Sequence, residues 1–185
     1  MNEKTISITP VFTGRMISVE TLQVELEPGH RAYREIVRHP GAIAAVARVP
    51  DGRFVFVRQF RKPIEREVLE VIAGRKELQE RPEDCAAREI KEETGHDVIA
   101  LHSLGGLYPS PGYVDELIHL FFAELSETAE IPNGDLDERI TVEYLTREEF
   151  EAMVDGGLID DAKTLAAWLL FTRRHTHPPA ARSFE

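Results

Sequence analysis

The stretch GRKELQERPEDCAAREIKEETGH, residues 74–96, decides the fold. Pro82 suits the first turn of a helix and Gly95 suits its end, so the sequence predicts a helix between them. Ala86 and Ile90 lie four residues apart and form an apolar stripe on this helix. The stripe is expected to pack inward against the rest of the chain.

Three carboxylates crowd another edge of the predicted helix. Glu89 and Glu93 lie one above the other, with Glu92 beside them. Like charges repel unless something positive lies among them, and ligands that offer only oxygen suit Mg²⁺ or Mn²⁺ better than zinc. The edge therefore predicts a divalent-metal site, although a Glu-rich helix is, on its acids alone, usually a solvated surface.

The spacing around these acids favours the metal site. It runs Gly, five residues, Glu, seven residues, then Arg-Glu-Ile-x-Glu-Glu-x-Gly, from Gly74 to Gly95. This gapped pattern resembles the signature of the Nudix hydrolase family at every charged and glycine position. One position departs, since His96 stands where the family usually has an aliphatic residue, and we expect Val98 to take over the buried role.

Composition restricts the class of protein. The chain has 185 residues, 42% of them hydrophobic and 30% charged, which is typical of one globular domain with at most a small appendage. A net charge of −11 disfavours nonspecific binding to nucleic acid. It does not disfavour a small molecule that contains phosphates, because bound dications can invert the local sign of the charge.

Cellular location is inferred from two further features. The single cysteine, Cys85, cannot form an internal disulfide, so nothing points to an oxidising compartment. No basic-then-apolar N-terminal signal is present, and no apolar run approaches the length that spans a membrane. We expect a soluble, cytoplasmic protein with no membrane or nucleic-acid partner.

The chain is expected to divide into three parts. Residues 1–38 alternate short apolar runs with turn residues and predict a small antiparallel sheet, which contributes to dimerisation and to substrate contacts. Residues 39–174 form the main domain, and residues 175–185 form a loose tail. So small a sheet has little core of its own, and we therefore expect a homodimer.

Within the main domain, strands alternate with helices and predict an α/β (α+β) Nudix fold, with a mixed sheet sandwiched between helices. Pro50-Asp51-Gly52 predicts a hairpin turn between two strands, and Thr146 a capping box. A last helix begins at Asp161, with an apolar docking face of Leu165, Trp168, Leu169 and Phe171. Three further expectations are a buried strand over 68–72, a short strand over 98–101 and a loop over 105–113.

The sequence around the box resembles the ADP-ribose pyrophosphatase group of the family. Arg58-Gln59-Phe60-Arg61 is similar to a strand of that group, and residues 69–74 are similar to its Glu-x-Pro-Ala-Gly lead into the box, with Ile72 in place of the proline. Ser110-Pro111-Gly112-Tyr113 and the following Glu116 resemble the group's second marker. The resemblance covers essentially residues 34–150.

The resemblance implies roles for the residues of the box. It makes Glu89, Glu92, Glu93 and the backbone carbonyl of Ala73 metal ligands, and Glu80 with Arg88 a structural ion pair. An acidic loop is expected to supply the general base or a further metal ligand. Glu138 is the leading candidate there, and Asp135 or Asp137 could substitute for it. Glu138, Glu92 and Glu93 are thus the candidate catalytic residues, and an ordinary acidic turn is the alternative for that loop.

The resemblance also implies a substrate. Candidate substrate-binding residues are Arg34, Arg61, Glu70, Pro111, Gly112 and Glu116. The expected reaction is the hydrolysis of ADP-ribose to AMP and ribose 5-phosphate with Mg²⁺ or Mn²⁺. Two alternatives remain: another nucleoside diphosphate-sugar, such as a GDP- or UDP-hexose, or a non-catalytic sensor of ligands like ADP-ribose.

Overall fold

The fold was analysed in a computed structural model, which describes residues 3–131 and 140–176. The described strands are β1 (Lys4–Thr13), β2 (Ser18–Glu27), β3 (His30–Arg38), β4 (Ala42–Arg48), β5 (Phe54–Arg61), β6 (Arg66–Glu70), β7 (Ile72–Arg75), β8 (His96–Leu107), β9 (Ile118–Ala129) and β10 (Ile140–Leu145). The described helices are α1 (Pro82–Thr94), α2 (Arg147–Asp155) and α3 (Ala162–Thr176). None of these helices is both long and apolar enough to cross a membrane.

The chain divides into two compact units. The larger unit comprises Ala42–Leu107 and Ile118–Glu185, and the smaller one comprises Met1–Gly41 and Tyr108–Leu117. The segment Tyr108–Leu117, which sequence analysis assigned to the main domain, therefore groups with the N-terminal strands.

The larger unit is a mixed sheet with helices on both faces. Among its described strands the order is β10-β5-β4-β9-β8, with β6 beside β5 and β7 beside β4, and only β4 and β9 run parallel. Ala44 and Val46 of β4 lie in a core cluster with Phe150 of α2 and Trp168 of α3. Alternate residues of β4 lie in a second cluster on the opposite face, with Ile90 of α1. The predicted sandwich is confirmed.

Helix α1 begins and ends where the sequence predicted. Pro82 occupies its first turn, and Gly95 caps it with φ at 75°. Ala86 and Ile90 are fully buried, as expected of the apolar stripe. A Cβ at Gly95 would lie 2.0 Å from the backbone oxygen of Glu130, so the chain has room for glycine alone at this point.

Replacing this cap should destabilise the protein strongly. Gly95→Ala combines the left-handed backbone with the clash against Glu130, and we expect a loss of about 3 kcal/mol in the free energy of unfolding. The matched control is Gly156→Ala at the cap of α2, where φ is −76° and the nearest atom, the oxygen of Ala152, lies at 3.2 Å. Urea unfolding compares the two variants, and equal losses would contradict this account.

Three predictions about individual elements were wrong. The predicted strand over 68–72 breaks at Val71 into β6 and β7. Leu169 is 54% exposed, because it lies about 100° round the helix from the buried Trp168. The glycines of the predicted loop over 105–113 begin inside β8, where Gly105, at φ 102°, lies at an irregularity in the pairing with β9. They mark a bulge rather than the end of a strand.

His96 takes the buried position expected of Val98. Its side chain is 3% exposed and lies between two partners, with Nδ1 at 2.9 Å from the oxygen of Ser126 and Nε2 at 2.9 Å from the hydroxyl of Tyr144. A carbonyl oxygen can only accept, so Nδ1 carries a proton and donates it to Ser126. Val98 packs beside it, partly buried, against the second cluster.

The smaller unit contains the predicted small sheet, in the antiparallel order β1-β2-β3. Leu22 and Val24 are its buried hydrophobic side chains among the described residues, and β1 is exposed along its whole length. The segment Tyr108–Leu117 is attached to β3, since the backbone N–H of Val37 donates to the oxygen of Tyr113 at 2.7 Å.

Candidate active site

The backbone of Gly74 lies directly against the side chain of Glu89. Gly74 is paired with Ile43 of the central strand β4, which fixes its position. A Cβ on Gly74 would lie 1.9 Å from Cδ of Glu89 and 2.2 Å from its Oε1. Glycine is therefore required here for close approach, and this approach brings the carboxylate of Glu89 beside the strand that carries Ala73 and Gly74.

The three carboxylates on the acidic edge of α1 differ in their exposure to solvent. The side chain of Glu89 is 15% exposed and that of Glu92 is 43% exposed, whereas Glu93 is buried at 5%. Carboxylates are rarely buried without a partner, because removing the charge from water is costly. Along this one helix edge, exposure therefore ranges from that of the exposed Glu92 to that of the buried Glu93.

Arg88 lies at the centre of the acidic residues. Its Nε and Nη2 donate to the two oxygens of Glu80 at 2.9 and 3.0 Å, which forms a bidentate pair. Its Nη1 donates to Glu89 at 2.8 Å and to Glu92 at 2.9 Å. Sequence analysis paired Arg88 with Glu80 alone. The additional contacts hold Glu89 and Glu92 together despite their like charges, and the bonds to Glu80 raise the pKa of Arg88 above its usual value.

The Glu80 carboxylate should make stability depend on pH. The hydrogen bonds from Arg88 lower the pKa of Glu80 to about 2, so its contribution is present above about pH 4.5 and is lost as the pH falls through 2. Glu80→Gln should lower the free energy of unfolding by about 2 kcal/mol at neutral pH. The difference from the wild type should shrink steadily below pH 4.5.

Chemical unfolding at pH 7 and at pH 3 measures this difference. Glu83→Gln, at an exposed position in the first turn of α1, makes the same chemical change away from Arg88. A Glu80→Gln penalty that does not vary with pH would show that the carboxylate acts through its shape and not its charge.

The acidic edge of α1 fits a hard dication by the chemistry of its donors. Glu89, Glu92 and Glu93 offer carboxylate oxygens, and the lack of a side chain at Gly74 lets the carboxylate of Glu89 lie directly against the strand. Within the described residues, no three acidic, histidine or cysteine side chains already surround a common point. Arg88 contacts two of the three acids, Glu89 and Glu92.

A second charged cluster in the larger unit surrounds Glu70. This residue is 1% exposed. Arg61 donates two hydrogen bonds to it, from Nε to Oε1 at 2.7 Å and from Nη2 to Oε2 at 2.6 Å. Lys163 of α3 bonds the same Oε2. Burial alone would raise the pKa of Glu70, but the bonds from Arg61 and the charge of Lys163 outweigh it, so the pKa lies below its ordinary value. Arg61 and Glu70, both predicted site residues, are thus brought together.

Sequence analysis did not identify Lys163 as part of this cluster. One signal was available: Lys163 lies in the first turn of α3, where the helix dipole disfavours a cation. A lysine at such a position needs a compensating acid, and the buried Glu70 supplies it.

The remaining predicted substrate residues lie in the smaller unit. Arg34 is held by Glu3, with Nη2 at 2.6 Å from Oε1. Glu116 lies 3.4 Å from Nδ1 of His39, and the same nitrogen lies 3.1 Å from the backbone nitrogen of Gly41. Pro111 lines a surface pocket with Tyr108 and Tyr113, and the neighbouring Gly112 is exposed. Glu138, Asp135 and Asp137 lie outside the described residues.

Comparison with known proteins adds a family match and close relatives. The NUDIX domain model matches residues 37–169. An ADP-ribose pyrophosphatase from Bacillus subtilis (strain 168) is 42% identical over 168 residues, which is 90% of this chain and 91% of that protein. A methanol dehydrogenase activator from Bacillus methanolicus is 39% identical over 166 residues, 89% of this chain and 90% of that protein.

More distant similarities extend the same pattern. A GDP-mannose pyrophosphatase from Yersinia enterocolitica is 36% identical over 136 residues, with 69% of this chain and 71% of that protein covered. A solved structure described as an ADP compounds hydrolase superimposes with a TM-score of 0.82 at 20% identity, covering 97% of this chain and 98% of that one. At that identity the superposition supports the fold alone.

Proposed function

The chain belongs to the NUDIX family, and from that membership we propose that it hydrolyses the pyrophosphate bond of ADP-ribose to AMP and ribose 5-phosphate. As a Nudix hydrolase it is an enzyme, and the relatives support nucleoside diphosphate derivatives as its substrate class. The observation that carries the proposal is the acidic edge of α1, with Glu89 packed against the backbone of Gly74. ADP-ribose is the finer proposal, supported by the relative from Bacillus subtilis.

We propose Mg²⁺ or Mn²⁺ as the cofactor of this edge. Glu89, Glu92, Glu93 and the carbonyl of Ala73 would hold it, together with Glu138 from the acidic segment. When bound, a dication neutralises phosphate oxygens and lowers the pKa of a water that attacks phosphorus. Arg88 would keep Glu89 and Glu92 close before the ion arrives, because its guanidinium screens their repulsion.

The residues of the chain itself have three further tasks in the proposed reaction. Arg61, whose guanidinium is fixed on Glu70, would contact a phosphate through its outer edge. Glu138 would accept the proton of the attacking water, and the buried Glu93 would help to orient that water. Removing water from the phosphate bridge strengthens each of these charged contacts.

Further substrate contacts are proposed for Arg34, Pro111, Gly112 and Glu116, and Arg34 would hold a phosphate or the terminal ribose. The pocket beside Pro111 presents the aromatic side chains of Tyr108 and Tyr113. Relatives at about 40% identity carry both a pyrophosphatase name and an activator name, so the substrate has to be measured on this chain.

A substrate panel tests the proposed function. ADP-ribose, GDP-mannose and a UDP-hexose are assayed side by side with Mg²⁺, with Mn²⁺ and with a chelator. The nucleoside monophosphate and the sugar phosphate released from each compound are quantified, which for ADP-ribose are AMP and ribose 5-phosphate. We expect the highest kcat/KM for ADP-ribose and no turnover with the chelator. A preference for GDP-mannose, the activity named in the relative from Yersinia, would replace the proposed substrate. Binding without turnover of any compound would favour a sensor.

We further propose that the chain forms a homodimer through its N-terminal sheet. Ile8, Val11 and Phe12 of β1 are 53%, 62% and 53% exposed, an unusual set of apolar side chains for a solvent-facing strand. Light scattering at micromolar concentration should give twice the monomer mass of 20.9 kDa. Ile8→Glu should shift the mass towards the monomer, whereas Thr9→Glu, on the other face of β1, should not. A monomeric wild type would contradict the proposal.

A cytoplasmic location is also proposed. The only cysteine of the chain, Cys85, is buried and free. Burial, with a smaller contribution from Glu80, raises the pKa of its thiol to about 12, so the reactive thiolate is scarce at neutral pH. Nothing in this chemistry requires an oxidising compartment, and fractionation of cells that express the protein measures its location directly.

A further inference from the structure

Two cations share one buried carboxylate, that of Glu70. Arg61 and Lys163 both bond Oε2 of Glu70, whose side chain is 2% exposed. One carboxylate balances one of these charges, and Asp161 balances the other, because its Oδ2 lies 3.1 Å from Nζ of Lys163. Lys163 is therefore held between two acids, with its own side chain only 15% exposed.

The same turn of α3 also holds the strand that leads to Gly74. Oγ1 of Thr164 accepts the backbone N–H of Val71 at 2.9 Å, at the break between β6 and β7. Thr164 in turn donates to Asp161 from its N–H at 3.0 Å and from its hydroxyl at 2.6 Å. The first turn of α3 is thus bonded both to the backbone before Ala73 and to the carboxylate that orients Arg61.

Arg61 is held with one edge towards Glu70. Its bonds to the carboxylate use Nε and Nη2, and Nη1 takes no part in them. The side chain is 38% exposed, so the guanidinium keeps an accessible edge. A guanidinium whose inner edge is fixed in this way loses less rotational freedom when its outer edge binds a phosphate.

We propose that Lys163 is a positioning residue, which fixes Glu70 and through it directs the outer edge of Arg61 towards the phosphates of the substrate. Lys163 would not itself touch the substrate. Its removal would leave Glu70 free to turn with Arg61, and the affinity of the site for phosphate would fall. The phosphate contact rests on the proposed function, whereas the effect on the orientation of Arg61 does not.

Steady-state kinetics with ADP-ribose and Mg²⁺ test the phosphate contact. Lys163→Met should raise KM about tenfold and leave kcat within about threefold, because a contact made equally in the ground state and in the transition state is weakened. Lys62→Met, at a side chain that is 81% exposed and paired with Glu65, is the matched control and should match the wild type. Wild-type KM in Lys163→Met would overturn the inference.

A double-mutant cycle separates positioning from a general loosening of α3. Since Lys163 acts through Arg61, adding Lys163→Met to Arg61→Ala should raise KM no further than Arg61→Ala alone. Independent effects that multiply in the double variant would overturn the inference.

A measurement that needs no turnover follows the orientation of Arg61 directly. In ¹⁵N-labelled protein, the Nε–H signal of Arg61 is identified by its absence in Arg61→Ala. Its exchange with water should become at least tenfold faster in Lys163→Met and stay unchanged in Lys62→Met, and unchanged exchange in both would overturn the inference. Should the wild type turn over none of the nucleotide sugars, the proposed function fails, and this exchange rate alone decides the role of Lys163.

Discussion

Glu93→Gln should lower kcat for ADP-ribose about a thousandfold, which corresponds to about 4 kcal/mol of lost transition-state stabilisation. The side chain is 5% exposed, and the substitution keeps its shape while it removes the charge. A neutral amide is a poor ligand for a hard dication and cannot balance its charge. Steady-state assays with saturating Mg²⁺ measure the loss, and a thermal melt within a few degrees of the wild type shows that the fold is intact.

The control for this substitution lies on the same helix. Glu83→Gln removes one charge from the first turn of α1, at a position that is exposed, whereas Glu93 is buried. We expect its kcat to stay within about twofold of the wild type, with at most a few tenths of a kcal/mol lost through the helix dipole. If Glu93→Gln retained near-normal kcat, the proposed metal role of this residue would be wrong.

The helix that carries the acids could be predicted because its signals are local. Pro82, Gly95 and the spacing of Ala86 and Ile90 lie within a few turns of one another, and helical geometry alone relates them. The two faces of the central sheet could also be predicted, since long apolar strands between helices leave few other arrangements. The position of Glu89, Glu92 and Glu93 on one edge of α1 also follows from helical geometry.

The contacts that the sequence did not reveal join distant parts of the chain. Glu70 and Lys163 are 93 residues apart, and His96 and Tyr144 are 48 apart. No periodicity relates such pairs, because their proximity is set by how the sheet and helices pack. The glycines at 105–106 illustrate a second limit: a glycine-rich run predicts both a loop and a bulge, and only the pairing of β8 with β9 distinguishes them.

Arg88 illustrates a third limit, because its partners are nearby and were still incompletely predicted. Sequence analysis paired Arg88 with Glu80 alone, whereas one guanidinium contacts Glu80, Glu89 and Glu92 together. A fork of five donors allows this sharing. Glu89 and Glu92 are thus held together by the positive charge of Arg88.

Gly74→Ala should reduce kcat about a hundredfold with little loss of stability. The new Cβ would lie 1.9 Å from Cδ of Glu89, so this carboxylate has to swing away from the strand. A displacement of about an ångström in a reacting constellation can lower the rate by that factor. The side chain is flexible at this end, and the backbone of Gly74 needs no left-handed conformation, so the fold should tolerate the change.

The matched control is Gly156→Ala, which separates the effect of Gly74→Ala on kcat from its effect on stability. At Gly156 the atom nearest to the added methyl group is the oxygen of Ala152 at 3.2 Å, in a helix cap that carries no proposed site residue. Kinetic assays should find wild-type kcat in this control, and urea unfolding should find similar stability in both variants. Calorimetric titration with Mg²⁺ in the presence of ADP should show weaker binding in Gly74→Ala alone. Normal kcat in Gly74→Ala would mean that the position of Glu89 beside this strand does not matter for the reaction, and the proposed metal site would have to be abandoned at that carboxylate.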